Sequence, residues 1–249
     1  MPDRTVAIHQ PNYLPWTGYF LKMAVSDAFV FHDNVKITKS GPTRRVQIAG
    51  TTPDHNRWLS VPLQKHSDFT LIKDLVIFNE KQWMTKHLSY IRAAYYLYPH
   101  FKSIFALLEE WLDSFKNEHF LARLNAGLIQ KIALLGNIHP SYYFSSELPV
   151  SGYKGEYNLA LVKYLNGSVY ISGKGGSNYQ EEKIFTSEVI RLIYADTMAF
   201  YEKYIAKHAL LTAKPACSVL DFLMLVGVEG FADLVENYKN HFNSIHLDR

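Results

Sequence analysis

The sequence TVAIHQPNYLPWTGYFLKMAVSDAFVFHD, residues 5–33, contains a complete unit of strand, loop, helix and strand. Its two ends are short apolar segments rich in β-branched and aromatic residues, which is typical of buried strands. Between them, Tyr19, Phe20, Met23 and Ala24 recur at helical spacing. A strand, a helix and a second strand in this order predict a sheet whose neighbouring strands are parallel.

The rest of the chain continues this alternation around a central block of helices. Further strands are predicted at 44–50, 57–63, 74–78, 141–146, 168–173 and 189–195. Helices are predicted as three amphipathic segments at about 81–136, one at 156–167, and two within 217–242 that break near Gly227 or Gly230. We therefore expect an α/β fold, a mainly parallel or mixed sheet with flanking helices, in one domain over 1–249 with a helical lobe at about 81–136.

Composition indicates a globular protein with little net charge. The 249 residues are 48% apolar, and 26 basic against 23 acidic side chains leave a formal charge of +3. Since nucleic-acid binders concentrate basic residues in a stripe, this balance predicts no DNA partner. No apolar run suits a signal peptide or a membrane span, so we expect a cytoplasmic protein. The single Cys217 excludes an internal disulfide, and the histidines lack the spacing of a metal site.

Ligands of open α/β sheets bind beyond the carboxyl ends of the strands, and three loops here are candidates. The first follows the opening strand, and Gly18 lets its backbone approach a partner closely. The aromatic rings in this loop could instead simply pack over the end of the hydrophobic core. The polar side chains are less easily explained in this way, because buried polar groups need hydrogen-bond partners. The candidates in this loop are His9, Gln10, Tyr13, Trp16 and Tyr19.

The second candidate loop, HDNVKITKSGPTRR at 32–45, places Asp33 at the end of a strand and then supplies several cations. A carboxylate here suits a general base, and Lys39 and Arg45 suit a phosphate or carboxylate ligand. A solvated loop is the alternative. The third loop, ISGKGGSNY at 171–179, offers successive glycine N–H groups beside Ser172, as in anion-binding turns, although a plain glycine turn has the same composition.

Three more polar residues lie on or at the start of predicted helices. His87 shares a helical stripe with Trp83 and Ile91, so it is either a buried structural histidine or an acid, base or phosphate donor. Ser218 and Asp221 have the spacing of a capping box, which is a sufficient structural explanation for both.

Six segments, taken in order, resemble the WbqC-like family. They are HQPNYLPWTGYF, SDAFVFHDNVKITKSGPTRR, RWLSVP, QWMTKH, YISGKGGSNY and CSVLDFLMLVG, and they span nearly the whole chain. The resemblance implies a bacterial protein of surface-polysaccharide or O-antigen (lipopolysaccharide) biosynthesis. It further implies a transferase that forms an amide by moving an acyl or aminoacyl (glycyl) group to a nucleotide-linked amino sugar.

The resemblance also implies which residues form the site. Catalytic candidates are His9, Asp33 and His87, with His9 or Asp33 as the base; no metal ligand is implied. Substrate-binding candidates are Gln10, Tyr13, Trp16, Tyr19, Lys39, Arg45, Ser172, Gly173, Tyr179 and Asp221. The chain departs from the family pattern at Arg44, at Cys217 and at Tyr201-Glu202-Lys203. These departures concern the part of the site that would bind the acceptor substrate.

Topology adds a second likeness, to nucleotidyltransferases, whose Rossmann-like sheets the N-terminal half resembles. Their HxGH signature is replaced here by Trp16-Thr17-Gly18-Tyr19. Three functions therefore stay open: acyl transfer to an amino sugar, non-catalytic binding of a sugar nucleotide or glycan, and nucleotidyl or adenylyl transfer. The expected partner is a small molecule, a sugar nucleotide. The acyl group could come from a carrier, from a tRNA or from activation by ATP, and the sequence does not decide among these donors. No cofactor is assigned.

Overall fold

The fold is built on seven strands in the part of the chain that the computed structural model describes, which covers residues 3–38, 41–49, 56–79, 82–174, 182–210 and 217–246. The strands are β1 (Thr5–His9), β2 (Ala28–Phe31), β3 (Arg45–Ile48), β4 (Arg57–Ser60), β5 (Ser141–Phe144), β6 (Val169–Gly173) and β7 (Arg191–Ala195). Five form a sheet in the order β5-β2-β1-β6-β7, in which every neighbouring pair is parallel. The predicted α/β class is thus confirmed. β3 and β4 pair separately and antiparallel.

The helices are α1 (Thr17–Ala24), α2 (Trp83–Tyr95), α3 (Phe101–Ser114), α4 (Leu121–Leu135), α5 (Lys154–Tyr164), α6 (Glu182–Ser187), α7 (Thr197–Lys207) and α8 (Val219–His246). Short 3-10 turns lie at Ile72–Asp74 and Ser145–Glu147. The three predicted central helices correspond to α2, α3 and α4. α8 is interrupted at Gly227, whose φ of 72° confirms one of the two predicted break positions.

The sheet lies between two layers of helices because alternate strand residues point to opposite faces. In β1, Ala7 packs into the larger core, which is shared with α1 to α4, α7 and α8, whereas Val6 and Ile8 face the smaller core under α5 and α6. The strands are therefore buried on both faces, which explains their nearly continuous apolar sequences.

Two local predictions need correction. Residues 74–78 form no regular strand, because they do not pair with one continuous partner strand. Val76 bridges to Phe120, whereas Ile77 bridges to Leu63. Pro62, beside Leu63, has no N–H to donate and so cannot extend that second bridge. The prediction also missed α6 and α7; the signal for α7 is Asp196, whose side chain caps the helix by accepting from the N–H of Ala199. Within the described segments, no helix has both the length and the apolar character of a membrane span.

Candidate functional site

The order of the five strands locates the most favourable ligand site. From β1 the chain proceeds to β2 on one side, whereas β6 and β7 lie on the other side. Loops at the carboxyl ends of β1 and β6 therefore diverge and leave a crevice, which is where doubly wound α/β proteins bind ligands. A cavity of about 480 Å³ lies at this point. We call it the switch-point cavity; its walls include His9, Lys22, His32, Ser172 and Gly173.

His9 is the last residue of β1, and its imidazole forms part of the wall. The ring centroid lies 4.7 Å from that of Tyr19 and 5.4 Å from that of Trp16, so two aromatic rings hold it in place. Its Nδ1 lies 3.3 Å from the carbonyl oxygen of Gln10. If Nδ1 carries the proton and donates it there, Nε2 is left as an acceptor toward the cavity.

The surroundings of His9 keep its imidazole neutral. Burial lowers the pKa of His9 well below its usual value, and the charge of Lys22 lowers it further, whereas the hydrogen bond to the carbonyl of Gln10 opposes the shift. A neutral imidazole with a free Nε2 is a proton acceptor. An anionic ligand bound beside it raises this pKa again, because the negative charge favours the imidazolium.

Lys22 is a functional candidate that sequence reasoning missed. It belongs to α1, is only 4% exposed, and donates from Nζ to the carbonyl oxygen of Ile8 over 2.9 Å. Burial lowers its pKa to about 7. Among the described residues no carboxylate pairs with it, so an anion in the cavity is the natural partner of its ammonium form.

His32 is the second missed residue and lies at the end of β2. Its backbone N–H donates to the carbonyl of His9 over 2.8 Å, and its ring packs on Tyr157 at 5.1 Å between centroids. Nδ1 is buried and has no partner in the described part of the chain. Burial lowers the pKa of His32 to about 4, partly offset by Asp33. The cavity wall therefore gathers three basic side chains, of which Lys22 is buried and His9 and His32 are partly buried.

The opposite wall comes from the ends of β6 and β7. Ser172 is buried there, and Gly173 is followed by Lys174, whose ammonium pairs with the carboxylate of Asp196 at the mouth of the cavity. A Cβ built on Gly173 meets no atom of the described residues within 4 Å, so neither packing against them nor backbone conformation demands glycine at this position. The missing side chain leaves room in the cavity.

The β1–α1 loop is held tightly against this wall. A Cβ on Gly18 would come within 2.6 Å of the Thr197 hydroxyl, which confirms the close backbone approach expected there. Tyr19 donates from its hydroxyl to the carbonyl of Gln10 over 3.0 Å. The Gln10 side-chain oxygen accepts from Thr43 over 3.1 Å. These bonds fix the loop residues that line the cavity.

Of the three candidate loops, the described parts of the first and the third line the switch-point cavity, whereas the second contacts the first through Thr43 but does not bring Asp33 into that cavity. Asp33 is buried elsewhere, with its oxygens accepting from the Ser145 hydroxyl and from both the N–H and the hydroxyl of Ser146. It lines a different cavity, beside Lys73 and Arg123. Among the described residues of the second loop, only its neighbour His32 lines the switch-point cavity.

Tyr13, His87 and Arg45, which the structure describes, line no part of this cavity. Tyr13 is buried, with its hydroxyl 2.9 Å from Nδ1 of His87, which is also buried. Arg45 stacks on Trp58, its guanidinium carbon 4.3 Å from the ring centroid. Lys39 and Tyr179 lie outside the described residues.

The capping-box interpretation holds for only one of its two residues. Ser218 accepts from the N–H of Leu220, as a cap does. Asp221 instead accepts from the hydroxyl of Tyr95 and the N–H of Ala49, so its carboxyl group joins α8 to α2 and to the end of β3.

Fold and cavity together define the class: a doubly wound α/β protein with a cavity at its topological switch point whose wall carries several basic side chains. The chain belongs to the WbqC-like protein family, whose profile matches residues 10–232. It is also 28% identical over 230 residues to an uncharacterized protein of Mycobacterium tuberculosis. The aligned region covers 91% of this chain and 95% of that protein. No solved structure matches the chain significantly.

Proposed function

We propose that this protein is a transferase of surface-polysaccharide biosynthesis that binds a nucleotide-linked amino sugar in the switch-point cavity and acylates its amine. The observation that carries the proposal is the arrangement around His9: its imidazole, with Nδ1 near the carbonyl oxygen of Gln10, lines the same cavity as the buried Lys22 and Gly173. With the proton on Nδ1, Nε2 is the proton acceptor. The acyl or glycyl group and the amino sugar come from the family resemblance, and the cavity supplies groups suited to that chemistry.

The cavity walls match a ligand that carries phosphate. Lys22 offers positive charge in its ammonium form, and Ser172 places a hydroxyl in the wall that donates to the carbonyl of Gly173 over 3.3 Å. The Lys174 ammonium is paired with the Asp196 carboxylate. Trp16 offers an aromatic surface at the same wall. A volume of about 480 Å³ falls within the range of about 300–1,000 Å³ that small-molecule sites occupy.

In the proposed reaction, the sugar ammonium gives a proton to Nε2 of His9, and the freed amine forms a C–N bond with the acyl carbon. The acyl oxygen becomes an oxyanion that accepts hydrogen bonds from Ser172 and from the Lys22 ammonium. The carbonyl then re-forms as the bond to the leaving group breaks. The leaving group departs with the second proton of the attacking nitrogen, and the proton on His9 returns to solvent.

The first experiment tests where the ligand binds. Calorimetric titration of the wild-type protein and of Gly173→Leu with UDP-glucosamine is expected to give binding only in the wild type, because the leucine fills the space beside His9. Gly173→Leu should unfold at nearly the wild-type temperature, since a Cβ at this position meets no described atom within 4 Å. Equal affinity in the two proteins contradicts the site.

The second experiment tests the chemistry. With UDP-glucosamine as acceptor, glycine with ATP, glycyl-tRNA and acyl-carrier thioesters are supplied in turn, and amide formation is followed by mass spectrometry. His9→Gln should lower turnover by about 10²–10⁴-fold and change ligand affinity only a few-fold. The control His139→Gln, at an exposed histidine, should leave both unchanged. Binding without turnover with any donor favours the non-catalytic function, and pyrophosphate release without amide formation favours nucleotidyl transfer.

A further inference from the structure

A second cavity, of about 290 Å³, lies between β4 and the first half of α2. We call it the aromatic cavity. β4 and the residues after it contribute Trp58, Ser60 and Pro62, and α2 contributes Trp83, Lys86, His87 and Tyr90. The helix residues follow at intervals of three, one and three, so they form one face of α2. The aromatic cavity shares no lining residue with the switch-point cavity.

Two of its rings are unusually open to solvent for residues that line a cavity. Trp58 is 49% exposed and Tyr90 is 40% exposed. Each is held by an arginine: the guanidinium carbon of Arg45 lies 4.3 Å from the Trp58 ring, and that of Arg57 lies 4.1 Å from the Tyr90 ring. Cation–π contacts of this kind fix the rings in place, so the aromatic wall is preorganised.

The floor of the aromatic cavity is fully hydrogen-bonded and uncharged. His87 binds the hydroxyl of Tyr13 through Nδ1 and also hydrogen-bonds the backbone of Ser60. Burial lowers the pKa of His87 to about 4, so its ring stays neutral. The positive charge therefore comes from the edge of the cavity, where Lys86 is exposed and the two arginines flank the rings. None of the described lining residues is acidic.

We propose that the aromatic cavity binds a single pyranose ring that carries a carboxylate, as in a uronic acid unit. A pyranose ring has apolar C–H faces that pack on aromatic rings, and its hydroxyls lie at the edge, where Ser60 and Lys86 are placed to bind them. The volume is at the small end of ligand sites and suits one ring. The cations at the edge of the cavity favour a sugar that carries a negatively charged carboxylate over a neutral sugar.

Ligand-observed NMR on the full-length protein tests this assignment with glucuronate, glucose, glucose 1-phosphate and UMP at millimolar concentration. We expect glucuronate to bind about fivefold or more tightly than glucose, and Trp58→Ala and Tyr90→Ala each to weaken it by about tenfold or more. Both variants should fold, because neither ring belongs to the buried core. Phe69→Ala is the matched control, since Phe69 is 72% exposed and is likewise covered by a cation, Lys36.

Lys86→Gln separates charge from ring contact. It should reduce the preference for glucuronate over glucose without removing glucose binding. Gly173→Leu should not alter glucuronate binding, so this proposal and the switch-point function fail independently. Absence of binding by every sugar, affinity unchanged in Trp58→Ala, or tighter binding of UMP or glucose 1-phosphate than of glucuronate overturns the assignment.

Discussion

The ammonium nitrogen of Lys22 lies 2.9 Å from the carbonyl oxygen of Ile8, next to the last residue of β1. The contact joins the side chain of α1 to the strand that precedes it and brings the amine to the wall of the switch-point cavity. Charged lysines are rarely buried without an anionic partner, because removing the ammonium from water is costly. The placement therefore couples folding stability to the charge state of this amine.

We predict that Lys22→Met changes the pH dependence of stability. The pKa of Lys22 is about 7 in the folded protein, against 10.5 for the free side chain. Between these values the unfolded chain binds one more proton, so the free energy of unfolding gains about 1.4 kcal/mol per pH unit as pH rises. This stability is lost as pH falls through 7. Urea unfolding from pH 7 to 10 should show the rise in the wild type and not in Lys22→Met.

The matched control is Lys131→Met, at an exposed position of α4. It should keep the wild-type pH dependence, because an exposed amine has the same environment in both states. A rise of equal size in Lys22→Met and the wild type would show that Lys22 is not the group responsible.

Asp33 is predicted to stabilise the fold without taking part in ligand binding. Its carboxylate joins the end of β2 to the 3-10 turn after β5 through three hydrogen bonds from Ser145 and Ser146, the shortest 2.6 Å long. Asp33→Ala removes these acceptors from a buried site, and we expect the free energy of unfolding to fall by about 2–3 kcal/mol. Affinity for UDP-glucosamine should stay within a few-fold.

Asp74→Ala provides the comparison, because Asp74 lines the same cavity as Asp33 but is exposed. We expect its effect on stability to stay within about 0.5 kcal/mol. Denaturant unfolding measures both variants. A large loss of affinity in folded Asp33→Ala at a temperature well below its unfolding midpoint contradicts the structural role and restores Asp33 as a site residue.

Asp221 should impose the opposite pH dependence to Lys22. Burial raises its pKa to about 7 from 3.8, although the N–H of Ala49 opposes the shift. Between pH 4 and 7 the folded protein holds the extra proton, so the free energy of unfolding falls by about 1.4 kcal/mol per pH unit as pH rises. Asp221→Asn cannot ionise and should lose this slope in urea unfolding between pH 4 and 7. Equal slopes in the two proteins contradict the prediction.

Much of the fold could be predicted because its signals are local. β1, α1 and β2 are short, apolar and correctly spaced, and the chain alternation after residue 136 gives the remaining parallel strands. The 74–78 segment shows the limit of this reasoning: it is as apolar as the true strands, but its backbone partners come from separate parts of the chain.

The candidate site was harder to predict because its partners are distant in sequence. The α1 periodicity places Lys22 away from the apolar stripe, but α1 packs on the sheet, α7 and α8, and so buries both sides. Asp33 stands at a strand end, as expected, yet its hydrogen-bond partners lie 112 and 113 residues away. His9 and Ser172 do line one cavity, because the carboxyl ends of adjacent parallel strands meet at the same edge.

Gly227 is predicted to be essential for the break in α8. Its φ of 72° and ψ of −170° lie in a region that is essentially restricted to glycine. A Cβ at this position would also lie 2.5 Å from Nδ1 of His100. Gly227→Ala therefore combines backbone strain with a steric clash, and we expect a loss of about 2–4 kcal/mol in the free energy of unfolding.

The double variant Gly227→Ala/His100→Ala separates these two causes. Removing the His100 ring relieves the clash but leaves the backbone conformation unchanged, so stability should recover only in part and about 1–3 kcal/mol should remain lost relative to His100→Ala alone. Thermal and urea unfolding of the four proteins in the cycle provide the measurement. Full recovery in the double variant would assign the cost to the clash alone, and a stable Gly227→Ala single variant would show that α8 adopts another conformation at the break.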